Sequence, residues 1–285
     1  MSEKRESIIK MLDKIPRFSA TVTKVIQLSN DPGASTKEIV HAISLDPELT
    51  AKVLGLINSS YYGISSKIIS LQHAAVMLGI GTIKNIAIST SVLSKLLFKD
   101  RFNRYSYSEF WEHNLACAAA CKILAGKIGI PEKHREEYFI AGLLHDIGKV
   151  IFLKFYPEDY SCIEDPDCLP EKSRSDLEYE AFGIGHSELG SMMADRWKLP
   201  ALLSQVIRQH HDPVFDGSDF DQIKAAVHIS DIFCNKIGIG IQKRTDMDLL
   251  TDESWKIMKL PPDKPEALLG DLEDKVNEAK VFLAT

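Results

Sequence analysis

Apolar residues recur along this chain at helical spacing. Few segments alternate apolar and polar residues over more than four positions, so strands are not expected. His186, Leu189, Gly190, Met193 and Trp197 fall at i, i+3, i+4, i+7 and i+11, which is one face of a helix. Leu203, Val206, Ile207, His210 and His211 repeat the pattern, and Pro213 stops it. Ile223, Ala226, Val227, Ser230, Asp231 and Cys234 form a third stripe, and His113 lies in register with Ala116, Cys117, Ala120, Cys121 and Leu124 on a fourth. Punctuation agrees with this reading. Ser35 and Glu38 have capping-box spacing. Asp46 precedes Pro47 as an N-cap precedes a first-turn proline, and Ser70 can cap the helix that follows it.

The expected fold class is therefore all-α. Residues 1–100 read as an N-terminal lobe of five or six short helices, joined through a polar, aromatic stretch at 99–109 to a second helical lobe, 101–240. That lobe is expected to carry one long irregular loop, Pro157 to Ser175. Residues 241–285 are expected to be a loop-like tail, Gln242 to Pro265, and a final amphipathic helix, Glu266 to Leu283.

The polar members of the apolar stripes carry the chemistry. In the run Ala141 to Lys149, read as one helix, Ile140, Leu143, Leu144, Ile147 and Ile151 make an apolar stripe, and Gly142, His145, Asp146 and Lys149 make a second face. Glycine costs about 1 kcal/mol against alanine inside a helix. Close approach of another helix or a ligand at Gly142 and Gly148 would account for that cost. Buried imidazoles and carboxylates are expensive unless paired or metal-bound. One inward histidine is ordinarily a satisfied core residue. Five (His113, His145, His186, His210, His211) with Asp146 and Asp231 point to a metal site, with a purely structural polar core as the alternative. A mixed imidazole and carboxylate set suits Fe, Mn, Zn or Ni. His41, His73 and His134 read as surface or partly buried side chains, His228 as structural or as support for a ligand, and Tyr61, Tyr62 and Gly63 as a turn contact within the first lobe, with partner binding as the alternative.

Composition narrows the setting. Of 285 residues, 45% are hydrophobic and 26% charged, as in globular proteins generally. The charged N-terminus lacks the apolar run of a secretory signal. The most apolar stretch, Ala74 to Val92, is interrupted by Gly79, Gly81, Lys84 and Asn85. The expectation is a cytoplasmic protein without a membrane span. A net charge of −6 with no basic block argues against direct duplex nucleic-acid binding. The five cysteines have no zinc-type pairing in sequence, and Cys117 and Cys121 read as small core residues.

The order His113, His145-Asp146, Asp231 resembles the ligand set of HD-domain metal phosphohydrolases. His186 and the pair His210-His211 resemble the second-metal ligands of the HD-GYP branch, and His145-Asp146-Ile147-Gly148-Lys149 is similar to a motif of that branch whose lysine approaches a phosphate. The segments Ile15 to Gly63 and Ile69 to Ile88 resemble the opening of an HDOD domain, and the likeness runs to about Asn235. It implies an HD-domain-like helical core with an additional N-terminal helical lobe. It further implies one or two divalent transition metals, with Asp146 shared between them. The role implied is bacterial signal transduction, through other signalling proteins or by sensing a nucleotide or phosphate ligand. The alternative is a metal-dependent phosphohydrolase or phosphodiesterase acting on a nucleotide or cyclic dinucleotide, with Asp146 and Lys149 as catalytic groups. The chain departs from the HD-GYP pattern where Asp212-Pro213-Val214 follows the histidine pair.

Overall fold

The computed structural model describes residues 2–97, 107–164, 173–239, 252–262 and 265–284. No strand occurs among them. The first helices are α1 (Ser2–Met11), α2 (Ala20–Ser29), α3 (Thr36–Ser44), α4 (Pro47–Ile57), α5 (Leu71–Leu78) and α6 (Ile80–Leu96). Their starts are written in short polar side chains. The Ser35 hydroxyl accepts the Glu38 amide while the Glu38 carboxylate accepts the Ser35 amide, closing the expected capping box. Asp46 caps α4 ahead of Pro47, and Ser70 caps α5. Between α5 and α6 the chain turns at Gly79, where φ is 84°, and the helical path bends by 119°. No single described helix is long and apolar enough to cross a membrane.

Helices α2 to α6 close on one another over an apolar core that includes Ile26, Ile43, Val53, Leu56, Ile57 and Ile83. Helix α1 takes another course. It lies against α9 and α11, and Arg5 pairs with Glu188 at 2.6 Å. The expected joint at 99–109 falls largely on residues outside the described ones.

The second region begins with α7 (Tyr107–Lys127), α8 (Glu132–Leu144), α9 (Lys149–Phe155), α10 (Pro157–Glu164) and α11 (Arg174–Phe182), and continues with α12 (His186–Arg196), α13 (Ala201–Gln209) and α14 (Asp221–Ile237). Helices α7 and α8 are closely packed, and α6 lies on α8, joining the two regions. The close approach expected at the glycines is present. A Cβ at Gly142 would sit 2.8 Å from Ala118 Cα on α7, and one at Gly148 would overlap the His186 carbonyl oxygen on α12.

Several expected boundaries are corrected. The run 140–151 is two helices. The amides of Ile147, Lys149, Val150 and Ile151 bond three residues back, Lys149 to Asp146 at 2.9 Å, where the backbone at Gly148 is pressed against α12. The expected loop 157–175 is helical over Pro157–Glu164, where a first-turn proline, Glu158 and Asp159 favour a helix start and Tyr160 and Ile163 are buried. Its middle, 165–172, lies outside the described residues. The expected tail loop contains α15 (Asp252–Met258), held on α14 by the buried Trp255 and Met258. The final helix is three pieces, α16 (Pro265–Leu268), α17 (Leu272–Ala279) and α18 (Val281–Ala284), interrupted near Gly270. Tyr61 and Tyr62 reach beyond the first lobe. Tyr61 packs on Phe139 of α8 and Phe282 of α18, and the Tyr62 hydroxyl donates to Glu136 at 3.2 Å. Aromatic surface at that junction gains more by burial between regions than in a local turn.

Candidate metal centre

The close contact of α7 with α8 and of Gly148 with α12 draws five elements to one point. His113 comes from α7, His145 and Asp146 from the turn after α8, His186 from the first residue of α12, His210 and His211 from just beyond the end of α13, and Asp231 from α14. All seven expected residues converge, and all but His211 are almost wholly buried. His41, His73 and His134 are exposed, as expected.

Backbone and side-chain partners set how the rings present themselves. His145 Nδ1 lies 2.7 Å from the Gly142 carbonyl, and His210 Nδ1 lies 2.8 Å from the Ile207 carbonyl. A carbonyl only accepts, so each Nδ1 carries a proton and each ring turns its Nε2 inward. His228 Nδ1 donates to the His210 carbonyl at 2.8 Å and steadies that turn from behind. His186 Nδ1 and its backbone amide both donate to Glu178 Oε2, at 2.6 and 2.7 Å, and the Tyr160 hydroxyl donates to Glu178 Oε1 at 2.7 Å.

The donor atoms sort into two groups. In one, atoms of His113, Cys117, His145 and Asp231 all lie within 4.8 Å of one another; in the other, atoms of Asp146, His186, His210 and His211 do. Asp146 stands between them. Its Oδ1 is 3.2 Å from His186 Nε2 and 3.4 Å from His210 Nε2, while Oδ2 is 3.4 Å from His145 Nε2 and 3.9 Å from His113 Nε2. Asp231 Oδ1 is 3.1 Å from His113 Nε2 and 3.5 Å from His145 Nε2.

Electrostatics favour a cation here. Burial alone would raise both carboxyls. Lys149 and His145 beside Asp146, and His113 and His145 beside Asp231, hold them well below the usual carboxylate range. Burial lowers His210 to about 4 and His211 well below its ordinary value. Burial also opposes charge on His186, but the Glu178 carboxylate prevails and raises it to about 9. Three Nε2 atoms nonetheless meet there, His186 lying 3.2 Å from His210 and 2.8 Å from His211. A proton on His186 satisfies part of this; a metal ion would satisfy all of it. The buried His145 Nε2 and Asp146 Oδ1 have no hydrogen-bond partner, an orphaning that natural sites avoid. The donor set thus fits a metal ion, with mixed imidazole and carboxylate character.

Lys149 lies at the same point. Its Nζ donates to Asp146 Oδ2 at 2.5 Å, and the side chain is buried. The three-residue turn places side chains i and i+3 over each other, which is why the two meet.

Two participants escaped the sequence reading. Cys117 sits one turn beyond His113 on the same stripe, with Sγ 3.5 Å from His113 Nε2; a cysteine among alanines reads as core. Glu178 belongs to a buried face with Arg174, Leu177 and Phe182. Two charges on one apolar stripe are a legible signal, but it lies next to the segment read as a loop.

The HDOD domain family pattern matches residues 15–213 of this sequence. The chain belongs to the HDOD domain family. Asp231 of this HDOD protein lies beyond the matched span. Solved structures share the fold. An HDOD domain protein of Geobacter sulfurreducens has a TM-score of 0.71 at 24% identity, covering 99% of this chain and 98% of that one. A Shewanella amazonensis SB2B protein whose name proposes a phosphohydrolase has a TM-score of 0.70 at 20% identity, covering 97% and 98%. A Marinobacter aquaeolei VT8 protein whose name proposes signal transduction has a TM-score of 0.73 at 20% identity, covering 99% of this chain and 64% of that one. In sequence, a Treponema pallidum (strain Nichols) protein is 24% identical over 206 residues, which are 72% of this chain and 39% of that relative. The HDOD protein thus spans well under half the length of that curated relative.

Proposed function

We propose that this HDOD protein acts in signal transduction in the bacterial cytoplasm, and that its HD-type centre holds one or two divalent transition metals mainly to fix the arrangement of five helical elements. The proposed ligands are His113, His145, Asp146, His186, His210, His211 and Asp231. The carrying observation is their convergence in two donor groups around a shared Asp146, with His211 alone part-exposed at 33%. Structural metal sites are closed by protein ligands, whereas catalytic ones keep an open position. Bound there, a metal would supply Lewis acidity and lower the pKa of coordinated water. The chain's own residues do the rest of the work: the Gly142 and Ile207 carbonyls and Glu178 orient the rings, and Lys149 offsets the charge on Asp146. The His211 side is where a nucleotide or phosphate-bearing ligand would be sensed, and other signalling proteins would receive the output.

A second reading, metal-dependent phosphohydrolysis, is favoured by Lys149 lying against the shared carboxylate. There its ammonium would leave Asp146 to meet a phosphate oxygen. Metal analysis of protein purified without chelators, with a phosphoester turnover screen, separates the two. The signalling reading expects bound transition metal and no turnover of nucleotides or cyclic dinucleotides. Metal-dependent turnover that Lys149→Ala removes while metal content stays constant would establish the second reading instead.

A further inference from the structure

The two donor groups differ chemically, and Cys117 makes the difference. Beyond the ligand set proposed above, and resting on that metal-centre reading, we infer that the Cys117 thiolate is a metal ligand. With His113, His145 and Asp231 it gives one position of the centre a zinc-type donor set, beside the shared Asp146.

The distances carry the argument. Zinc lies about 2.0 Å from nitrogen or oxygen and about 2.3 Å from sulfur, so tetrahedral angles put nitrogen–sulfur edges at about 3.5 Å and nitrogen–oxygen edges at about 3.3 Å. The observed edges are 3.5 Å from His113 Nε2 to Cys117 Sγ, 3.1 Å from His113 Nε2 to Asp231 Oδ1, and 3.5 Å from His145 Nε2 to Asp231 Oδ1. Asp146 meets this group at its edge: its Oδ2 is 3.4 Å from His145 Nε2 and 3.9 Å from His113 Nε2 and also accepts from Lys149 Nζ at 2.5 Å, while its Oδ1 faces the other group. His145 Nε2 is fully buried in the cluster without a hydrogen-bond partner, so it points to a missing cation independently of the cysteine.

On binding, the sulfur–hydrogen bond of Cys117 breaks, its proton passes to solvent, and the electron pair left on sulfur forms the bond to the metal. No oxidation state changes. A soft thiolate beside two imidazoles selects zinc over manganese or magnesium, whereas the Asp146, His186, His210 and His211 group has no sulfur. The two positions of one centre are then distinct, one a zinc-type site and the other the position that reaches solvent through His211.

The test is the visible and near-ultraviolet spectrum of the full chain produced in cobalt-supplemented medium, with cobalt per chain measured alongside. The expected result is a thiolate-to-cobalt charge-transfer band that disappears in Cys117→Ser and persists in Cys121→Ser and Cys234→Ser. Cobalt bound with no such band overturns the Cys117 assignment and leaves the metal centre standing. So does a band that survives Cys117→Ser or is lost only in Cys234→Ser. A chain that binds no cobalt and no zinc overturns both. If Cys117→Ser does not fold, zinc X-ray absorption on the unaltered chain decides the matter: a sulfur scatterer in the first coordination sphere supports the inference, and a sphere of nitrogen and oxygen only overturns it.

Discussion

Around α3, α4 and α6 the buried side chains include Ile39, Val40, Ile43, Val53, Leu56, Ile57, Ile83 and Val92, whereas the elements from α7 to α14 enclose His113, His145, His186, His210, Asp146 and Asp231. The first set is held by apolar packing, each fully buried aliphatic side chain contributing about 1.5–3 kcal/mol. The second must offset a desolvation penalty of several kcal/mol per buried ion. It does so in part through Lys149 and Glu178, while His145 Nε2 and Asp146 Oδ1 stay without a hydrogen-bond partner. The comparison teaches that one family fold combines a region cored by apolar side chains alone with a region that adds a buried polar cluster to its apolar core.

The largest expected effect comes from breaking the polar core at its shared member. Asp146→Ala leaves imidazoles and Lys149 buried without their common partner, and it should destabilise the chain by about 3–5 kcal/mol. Thermal unfolding and metal analysis check this. Loss of bound metal with hydrogen exchange accelerated in α7, α8, α12 and α14 but not in α3 or α4 is the expected pattern. An unchanged melting temperature would remove the contrast between the two regions.

A core truncation on the apolar side sharpens the contrast. Leu56→Ala, at a fully buried position, should cost about 3 kcal/mol through lost burial and a residual cavity. Metal content should stay the same, as read by denaturant unfolding and metal analysis of the folded variant. Loss of metal in this variant would mean that the two regions fold as one unit and that the metal does not belong to the second alone.

The smallest expected effect lies one layer out from the proposed metal ligands. Glu178→Gln keeps an acceptor for His186 Nδ1 but removes the charge that makes this ring a strong donor. Metal affinity should fall by about 10-fold, measured by competition with a chelator of known affinity, with little change in unfolding of the metal-free chain. Equal affinity would reduce Glu178 to a packing partner of Tyr160.

Much of this was legible in the chain. The capping serines and aspartate of α3, α4 and α5 marked true helix starts because capping is local chemistry that needs only a few neighbouring residues. The convergence of the seven polar side chains was legible because polar groups on apolar stripes are costly unless they meet one another. The break between α8 and α9 was hidden. A turn of three-residue spacing keeps nearly the same face as a helix, so the pattern from Ile140 to Ile151 reads as continuous. Helices α10 and α15 were hidden for the opposite reason. Tyr160, Ile163, Trp255 and Met258 give each too few apolar positions to stand out until a neighbouring helix covers them.

The sequence alone determined that the chain is helical, where its stronger helices begin, and which polar side chains must turn inward, because periodicity and the cost of burying polar groups are properties of the chain itself. Only the tertiary structure decided how those side chains divide. It placed Asp146 between two donor groups, brought Cys117 of α7 to one of them, and set Glu178 of α11 behind His186. Those relations join residues far apart in sequence, across helices whose approach is fixed by packing at Gly142 and Gly148.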